Sequence, residues 1–259
     1  MDLQLQNKTA LVTGSTAGIG FAIAKALARE GAAVIVNGRS NERVAEAIRQ
    51  IGGKTRGFAG DLSRADAVAR LGSEYPAVDI LVNNMGIFFP KAFAEISDED
   101  WARIWEANVM SGVRLSRHYF PLMLARNEGR VIFVSSESAL QIPAEMIHYG
   151  VTKTAQLALS RGLAELTAGT NVTVNSVLPG PTRSEGVEVF VQQMAAAQKT
   201  DETAIETMFF EKIRPSSLLK RFERPEEIAD LVAYLASPLA SGTNGAAVRV
   251  DGGVLRSAV

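Results

Sequence analysis

Short apolar stretches with the look of strands alternate with longer stretches of helical period along the whole chain, and this alternation constrains the fold more than any other feature. KTALVT (8–13), AVIVN (33–37), VDILVNN (78–84), RVIFVSS (130–136) and NVTVNSVLP (171–179) are β-rich and apolar throughout. A weaker strand lies near TRGFAG (55–60), and AAVRVDGG (246–253) is a last strand and turn. Between them, residues 19–31, 41–51, a stretch from about Arg64, 98–126, 147–168 and 225–237 carry apolar residues at helical spacing. In 41–51 the face is Val44, Ala47, Ile48 and Ile51. Ser97 and Asp100 predict an approximate capping box, and Pro225 suits a first helical position. Strands separated by helices pair in parallel through crossovers, and continuous apolar strands are covered on both faces. The expectation is one α/β domain over 1–259, with seven parallel strands in a doubly wound sheet. Only 182–220 does not serve the alternation, which makes it a candidate substrate lid.

Bulk composition narrows the function classes. A formal charge of −1 argues against a nucleic-acid binder, which would show a basic face. With no cysteine and only His118 and His148, no metal site is expected. The N-terminus lacks a basic stretch ahead of an apolar one, and no apolar run nears the ~20 residues that span a bilayer. A cytoplasmic protein with no membrane partner is expected.

TGSTAGIG (13–20) follows the first strand and opens the first helix, where a doubly wound fold holds a phosphate group. Gly14 permits a tight turn, Gly18 lets a diphosphate approach, and Gly20 allows close helix–sheet packing. The loop as a whole (Gly14, Ser15, Thr16, Gly18, Ile19, Gly20) is the candidate cradle, with the helix N–H groups facing the anion. After the second strand the chain reads NGRSNER, with Arg39 where an acidic residue would select a ribose hydroxyl. A guanidinium suits a 2′-phosphate, which predicts NADP, with NAD as the second reading.

HYGVTK (148–153) places Tyr149 and Lys153 four residues apart, on one helix face. Tyrosine can donate a proton to a developing oxyanion, and a nearby cation favours its phenolate. Taken alone, the pair is as readily a helix surface. Ser136 ends the fifth strand on the ligand-binding edge of the sheet, 13 residues before Tyr149, with Ser135 and Ser138 as rivals. Phe88, Phe89, Met146, Phe209, Phe210 and Ile213 could line an apolar pocket or simply pack.

In order, TGSTAGIG, Asp61-Leu62, NNMG (83–86), Asn108, Ser136, Tyr149/Lys153, PGPTRS (179–184) and VDGG (250–253) resemble the short-chain dehydrogenase/reductase family from residue 8 to about 253. The resemblance implies a Rossmann-type fold and hydride transfer between a nicotinamide cofactor and a carbonyl or secondary alcohol, with 3-oxoacyl groups among the candidate substrates. It implies Ser136, Tyr149, Lys153 and Asn108 as catalytic residues, Asn108 by supporting a water that relays protons to the lysine. It implies adenosine contacts at Asp61, Leu62, Asn84, Met85 and Gly86, with Met85 where the family has alanine. Pro179, Gly180, Thr182 and Ser184 would meet the nicotinamide end, Ser184 replacing a threonine. It implies a homotetramer, with a homodimer as the other option. Two rival functions remain at this stage: an NAD-dependent hydroxyl dehydrogenase and a non-catalytic cofactor-binding sensor. Specificity should reside in 182–220 and 138–147.

Overall fold

The computed structural model describes residues 2–258, and its centre is a parallel sheet in the order β3-β2-β1-β4-β5-β6-β7. The strands are β1 (Thr9–Val12), β2 (Ala33–Gly38), β3 (Arg56–Ala59), β4 (Ile80–Asn83), β5 (Gly129–Val134), β6 (Val172–Pro179) and β7 (Ala247–Val250). Met1 and Val259, the ends of the expected 1–259 span, lie outside the described residues. Each strand sits where the apolar pattern predicts it. Several end a residue or two earlier, because Thr13, Asn84, Ser135 and Ser136 turn out of the ladder into the loops above the sheet.

Alternate side chains of the central strands enter different cores, as a pleat requires. Ala10, Val12, Val34, Val36, Ile80, Val82, Ile132 and Val134 face one side, with Ile23 and Leu27 of α1 (Gly18–Arg29), Val44 of α2 (Asn41–Ile51) and Val232 and Leu235 of α9 (Pro225–Ala236). Leu11, Ile35, Leu81, Val131 and Phe133 face the other, with Leu71 of α3 (Ala65–Glu74), Leu115, Phe120 and Met123 of α5 (Ser111–Ala125) and Ala164 of α6 (Ile147–Glu165). Fully burying a side chain of this kind contributes about 1.5–3 kcal/mol, so both faces hold the sheet. Among the described residues no helix is long and apolar enough to cross a membrane.

The expected helix over 98–126 is interrupted. α4 (Asp98–Trp105) begins with the predicted capping box: Asp100 N–H donates to Ser97 Oγ at 3.2 Å, and Ser97 N–H donates to Asp100 Oδ2 at 3.4 Å. A π turn, Glu106–Met110, then joins α4 to α5. The extra residue of a π turn frees a main-chain carbonyl, and such turns gather at functional sites.

Residues 182–220 form α7 (Glu185–Gln198), α8 (Glu202–Met208) and a second π turn, Phe209–Ile213. Their Val191, Ala195, Ile205 and Phe210 form a small core with Phe222, just beyond the segment. β1 lies between β2 and β4, so successive crossovers run in opposite directions from it. The loops after β1 and β4 part there and leave a crevice at the carboxyl edge of the sheet.

Candidate active site

The loop after β1 is braced from three sides. Asn84 Nδ2 donates to the carbonyls of Thr13 (2.9 Å) and Gly14 (3.1 Å). Thr13 Oγ1 accepts from Asn84 N–H and Met85 N–H, both at 2.9 Å. Ser15 donates to Val12 O at 2.6 Å and accepts from Asn37 N–H at 2.9 Å, so this fully buried hydroxyl staples β1 to β2 and does not face the crevice. Gly14 and Gly18 have φ of +59° and +55°. A Cβ on Gly20 would stand 2.4 Å from the Gly14 carbonyl oxygen, so the loop closes onto the helix only with glycine there.

The start of α1 has the form of an anion site. Its N-cap, Ala17, supplies no side-chain acceptor, which leaves the first-turn N–H groups for another partner. Ser184 is the N-cap of α7, yet its hydroxyl does not cap that helix. A Cβ on Gly18 would lie 3.4 Å from Ser184 Cβ. The positive ends of two helices therefore converge on the loop, which suits a diphosphate.

On one side of this loop lies a cleft of about 550 Å³, lined by Gly14, Thr16, Arg39, Arg43, Asp61, Leu62, Asn84, Met85 and Gly86 among others. Asp61 Oδ1 accepts from Ser63 N–H (3.0 Å) and Oγ (2.7 Å), which fixes the carboxylate in the cleft wall. The Leu62 side chain is fully buried in the core. Arg39 makes no ion pair among the described residues, whereas Arg43 Nη2 meets Glu185 Oε2 of α7 at 2.6 Å. The cleft is long and polar at its Arg39 end, as an adenosine carrying a 2′-phosphate would need.

On the other side lies a cavity of about 300 Å³. Ile19, Ser136, Tyr149, Pro179, Gly180, Thr182 and Ser184 border it, under Phe88, Val187, Phe209 and Ile213. Phe209 and Ile213 thus take the apolar-wall option, while Phe210 is buried in the small core. Thr182 Oγ1 donates to Gly180 O at 2.9 Å, shaping the turn after β6. Ser135, the rival serine, donates to Lys153 O at 2.9 Å and so braces α6. Phe88 meets the Tyr149 ring edge-on at 6.0 Å. His148 packs against Phe89 and Trp101, behind the cavity wall.

Electrostatics in the cavity oppose charge. Burial, then the Glu137 carboxylate, pushes the Tyr149 hydroxyl well above the usual tyrosine range, while the Arg214 charge acts the other way. Burial pushes Lys153 down to about 7. Lys153 Nζ lies 5.6 Å from the Tyr149 ring centroid and donates to Val134 O (2.9 Å) and Gln156 Oε1 (3.2 Å). Burial is the largest influence on Tyr149, and Lys153 Nζ is turned toward carbonyl oxygens.

Asn108 sits in the π turn. Its Nδ2 donates to Ile87 O and Thr152 Oγ1, both at 3.0 Å, and its Oδ1 accepts from Ile87 N–H at 2.7 Å. The freed Asn108 carbonyl accepts from Gln156 Nε2 at 2.6 Å. The Gln156 amide therefore links Asn108 to Lys153.

Glu137, Arg214, Arg43 and Gln156 were not among the residues singled out from sequence. Glu137 had a readable signal: a carboxylate at the end of an otherwise apolar strand, beside the candidate serine. Arg214 had none, since it lies at the end of an irregular segment.

Three comparisons bear on this geometry. A family model described as Enoyl-(Acyl carrier protein) reductase matches residues 14–255. The chain is 51% identical to an uncharacterized oxidoreductase (YvaG) of Bacillus subtilis strain 168, over 99% of each chain. It is 34% identical to a 3-oxoacyl-[acyl-carrier-protein] reductase of Aquifex aeolicus, covering 98% of this chain and all of that one. The crystal structure of L-sorbose reductase from Gluconobacter frateurii, complexed with NADPH and L-sorbose, superposes with a TM-score of 0.93 at 32% identity, over 99% of this chain and 100% of that one.

Proposed function

The chain belongs to the short-chain dehydrogenase/reductase family, and from that premise we infer an oxidoreductase that transfers hydride between NADP(H) and a carbonyl or secondary alcohol. One observation carries the reading: Ser136 and Tyr149 border a single cavity that adjoins a glycine-rich phosphate cradle. The residues present fit the cofactor. Arg39 and Arg43 would take a 2′-phosphate, Asp61 with Leu62 the adenine, Asn84 to Gly86 the ribose, and Gly14 to Gly20 with Ser184 the diphosphate. Pro179, Gly180 and Thr182 would frame the nicotinamide, which supplies or accepts the hydride when bound.

The chain's own part is proton transfer and positioning. Ser136 and Tyr149 would hold the substrate oxygen between their hydroxyls, and Tyr149 would give its proton to that oxygen as it gains negative charge. Lys153, tied to Asn108 through Gln156, would return a proton to Tyr149 from outside the cavity. The sensor reading is less economical, because a binding module has no use for a buried proton donor. Residues 182–220 would act as the substrate lid, since α7 and the second π turn roof the cavity.

Initial rates with NADPH and NADH across a panel of 3-oxoacyl thioesters, ketoses and simple ketones test the reading. We expect turnover with at least one carbonyl class and a clear NADPH preference. Equal or better use of NADH would overturn the cofactor assignment, and silence with every carbonyl would overturn the activity.

The larger assembly is also a proposal. Trp105, Leu122, Val151 and Leu166 leave apolar side chains exposed on α4, α5 and the α6 region, as do Leu218, Leu219 and Leu239 at the β7 end of the sheet. Two separate apolar faces suit a homotetramer rather than a homodimer. Light scattering should return four chains per particle; a monomer would sink this reading. A cytoplasmic location, supported by the absence of cysteine and the need for NADPH, is open to test by cell fractionation.

A further inference from the structure

Glu137 is the one group in the cavity wall that a carbonyl reductase does not obviously need. It follows Ser136 directly, is 5% exposed, and brings a carboxylate into a mainly apolar chamber. Its Oε2 accepts from Ser136 Oγ at 2.5 Å and from Ser138 N–H at 2.8 Å. Its Oε1 accepts from Arg214 Nε at 3.2 Å. Arg214 is itself buried and reaches in from the end of the second π turn, with Nη1 3.4 Å from Glu145 Oε1.

A serine hydroxyl carries one hydrogen. Donated to Glu137, that hydrogen is withheld from the Tyr149 oxygen. A phenolate on Tyr149 would want the same hydrogen, and would also feel the Glu137 charge across a poorly screened cavity. Arg214 opposes both effects, because it neutralises Glu137 and is itself a cation near the phenol. We propose that Glu137 and Arg214 are positioning residues that set, with opposite signs, when Tyr149 gives up its proton, and that Arg214 ties this setting to the segment roofing the cavity. The inference rests on Tyr149 and Ser136 being the acid–base pair of the reading above.

The other charged groups that face the pair are accounted for. Lys153 approaches the Tyr149 ring from its own helix, and Glu145 is partnered by Arg214. Glu223, whose Oε2 accepts from Gly180 N–H at 3.2 Å, is pushed up to about 8, chiefly by burial and then by Asp251, Glu227 and Glu137. Two directions found for Tyr149 agree with the geometry: Glu137 raises its proton affinity, and Arg214 lowers it.

The test reads the phenolate itself and needs no substrate. Ultraviolet difference spectra of the intact protein minus Tyr149→Phe, with and without NADP⁺, give the pH midpoint of Tyr149 ionisation. Glu137→Gln, which keeps the shape and one acceptor oxygen but removes the charge and the second acceptor, should move the midpoint down by about 1 pH unit. Arg214→Met should move it up by a similar amount. Since Arg214→Met leaves a buried carboxylate without its partner and could unfold, the pair-neutral variant Glu137→Gln/Arg214→Met supplies a second measurement. With both charges gone the two opposite shifts offset each other, so it should fold and titrate between Glu137→Gln and Arg214→Met. Midpoints that coincide in the intact protein and Glu137→Gln would overturn the inference and make Glu137 a brace for the turn after β5. If Tyr149→Phe retains turnover, the acid–base reading itself fails. If Tyr149→Phe is inactive and the midpoints coincide, only the present inference fails.

Discussion

Replacing Tyr149 with phenylalanine should lower kcat for carbonyl reduction by roughly 10³-fold, the scale of a positioned proton donor. The Kd for NADPH should stay essentially unchanged. The substitution removes one oxygen and keeps the ring. That ring still packs edge-on against Phe88 and beneath Lys153 Nζ, so the cavity wall survives. The Ser136 hydroxyl keeps its acceptor in Glu137, so removing the phenol leaves no buried donor unsatisfied. Single-turnover rates, paired with quenching of protein fluorescence by NADPH, separate chemistry from binding. Full activity in the variant would remove Tyr149 from the mechanism. Loss of NADPH binding together with activity would recast the tyrosine as a cofactor contact.

Sequence patterning carried the architecture because the central strands β1, β2, β4, β5 and β6 are buried on both faces. Ala10 and Val12 go one way and Leu11 the other, and no polar alternation obscures such a run. The glycine-rich loop was legible for a related reason: Gly20 stands where any side chain would strike the Gly14 carbonyl. Partners that depend on tertiary contact were not legible. Ser15 looked like a phosphate ligand, but its hydroxyl is directed into the β1–β2 staple by Asn37, 22 residues later. The π turn at Glu106–Met110 was not read from the periodicity, although one extra residue displaces the apolar face by about 100°. The same turn frees the Asn108 carbonyl for Gln156, a side-chain contact that no spacing announces. Arg214 lies 77 residues from the carboxylate it meets, and no local spacing could have paired them.

The second large effect concerns the choice of cofactor. Arg39→Ala should reduce kcat/KM for NADPH by about 10- to 100-fold, since a hydrogen bond to a charged group contributes roughly 1.5–3 kcal/mol. The value for NADH should hardly move, because Arg39 would meet only the 2′-phosphate. Arg39→Asp should go further and reverse the preference: a carboxylate at the end of β2 repels the phosphate and accepts from a ribose hydroxyl. Arg43 complicates the simple picture. It lines the same cleft, but Glu185 at the start of α7 already holds its guanidinium at 2.6 Å. Both side chains are more than half exposed, so that pair is weak and a phosphate can compete for the arginine. Arg43→Ala should therefore cost less than Arg39→Ala, and Glu185→Gln should improve NADPH use by freeing Arg43. Paired initial rates with both cofactors on all four variants decide the matter. Equal losses with NADPH and NADH in Arg39→Ala would mean that Arg39 supports the loop and reads no phosphate. The selectivity would then have to come from Arg43, whose alanine variant would show the larger NADPH-specific loss.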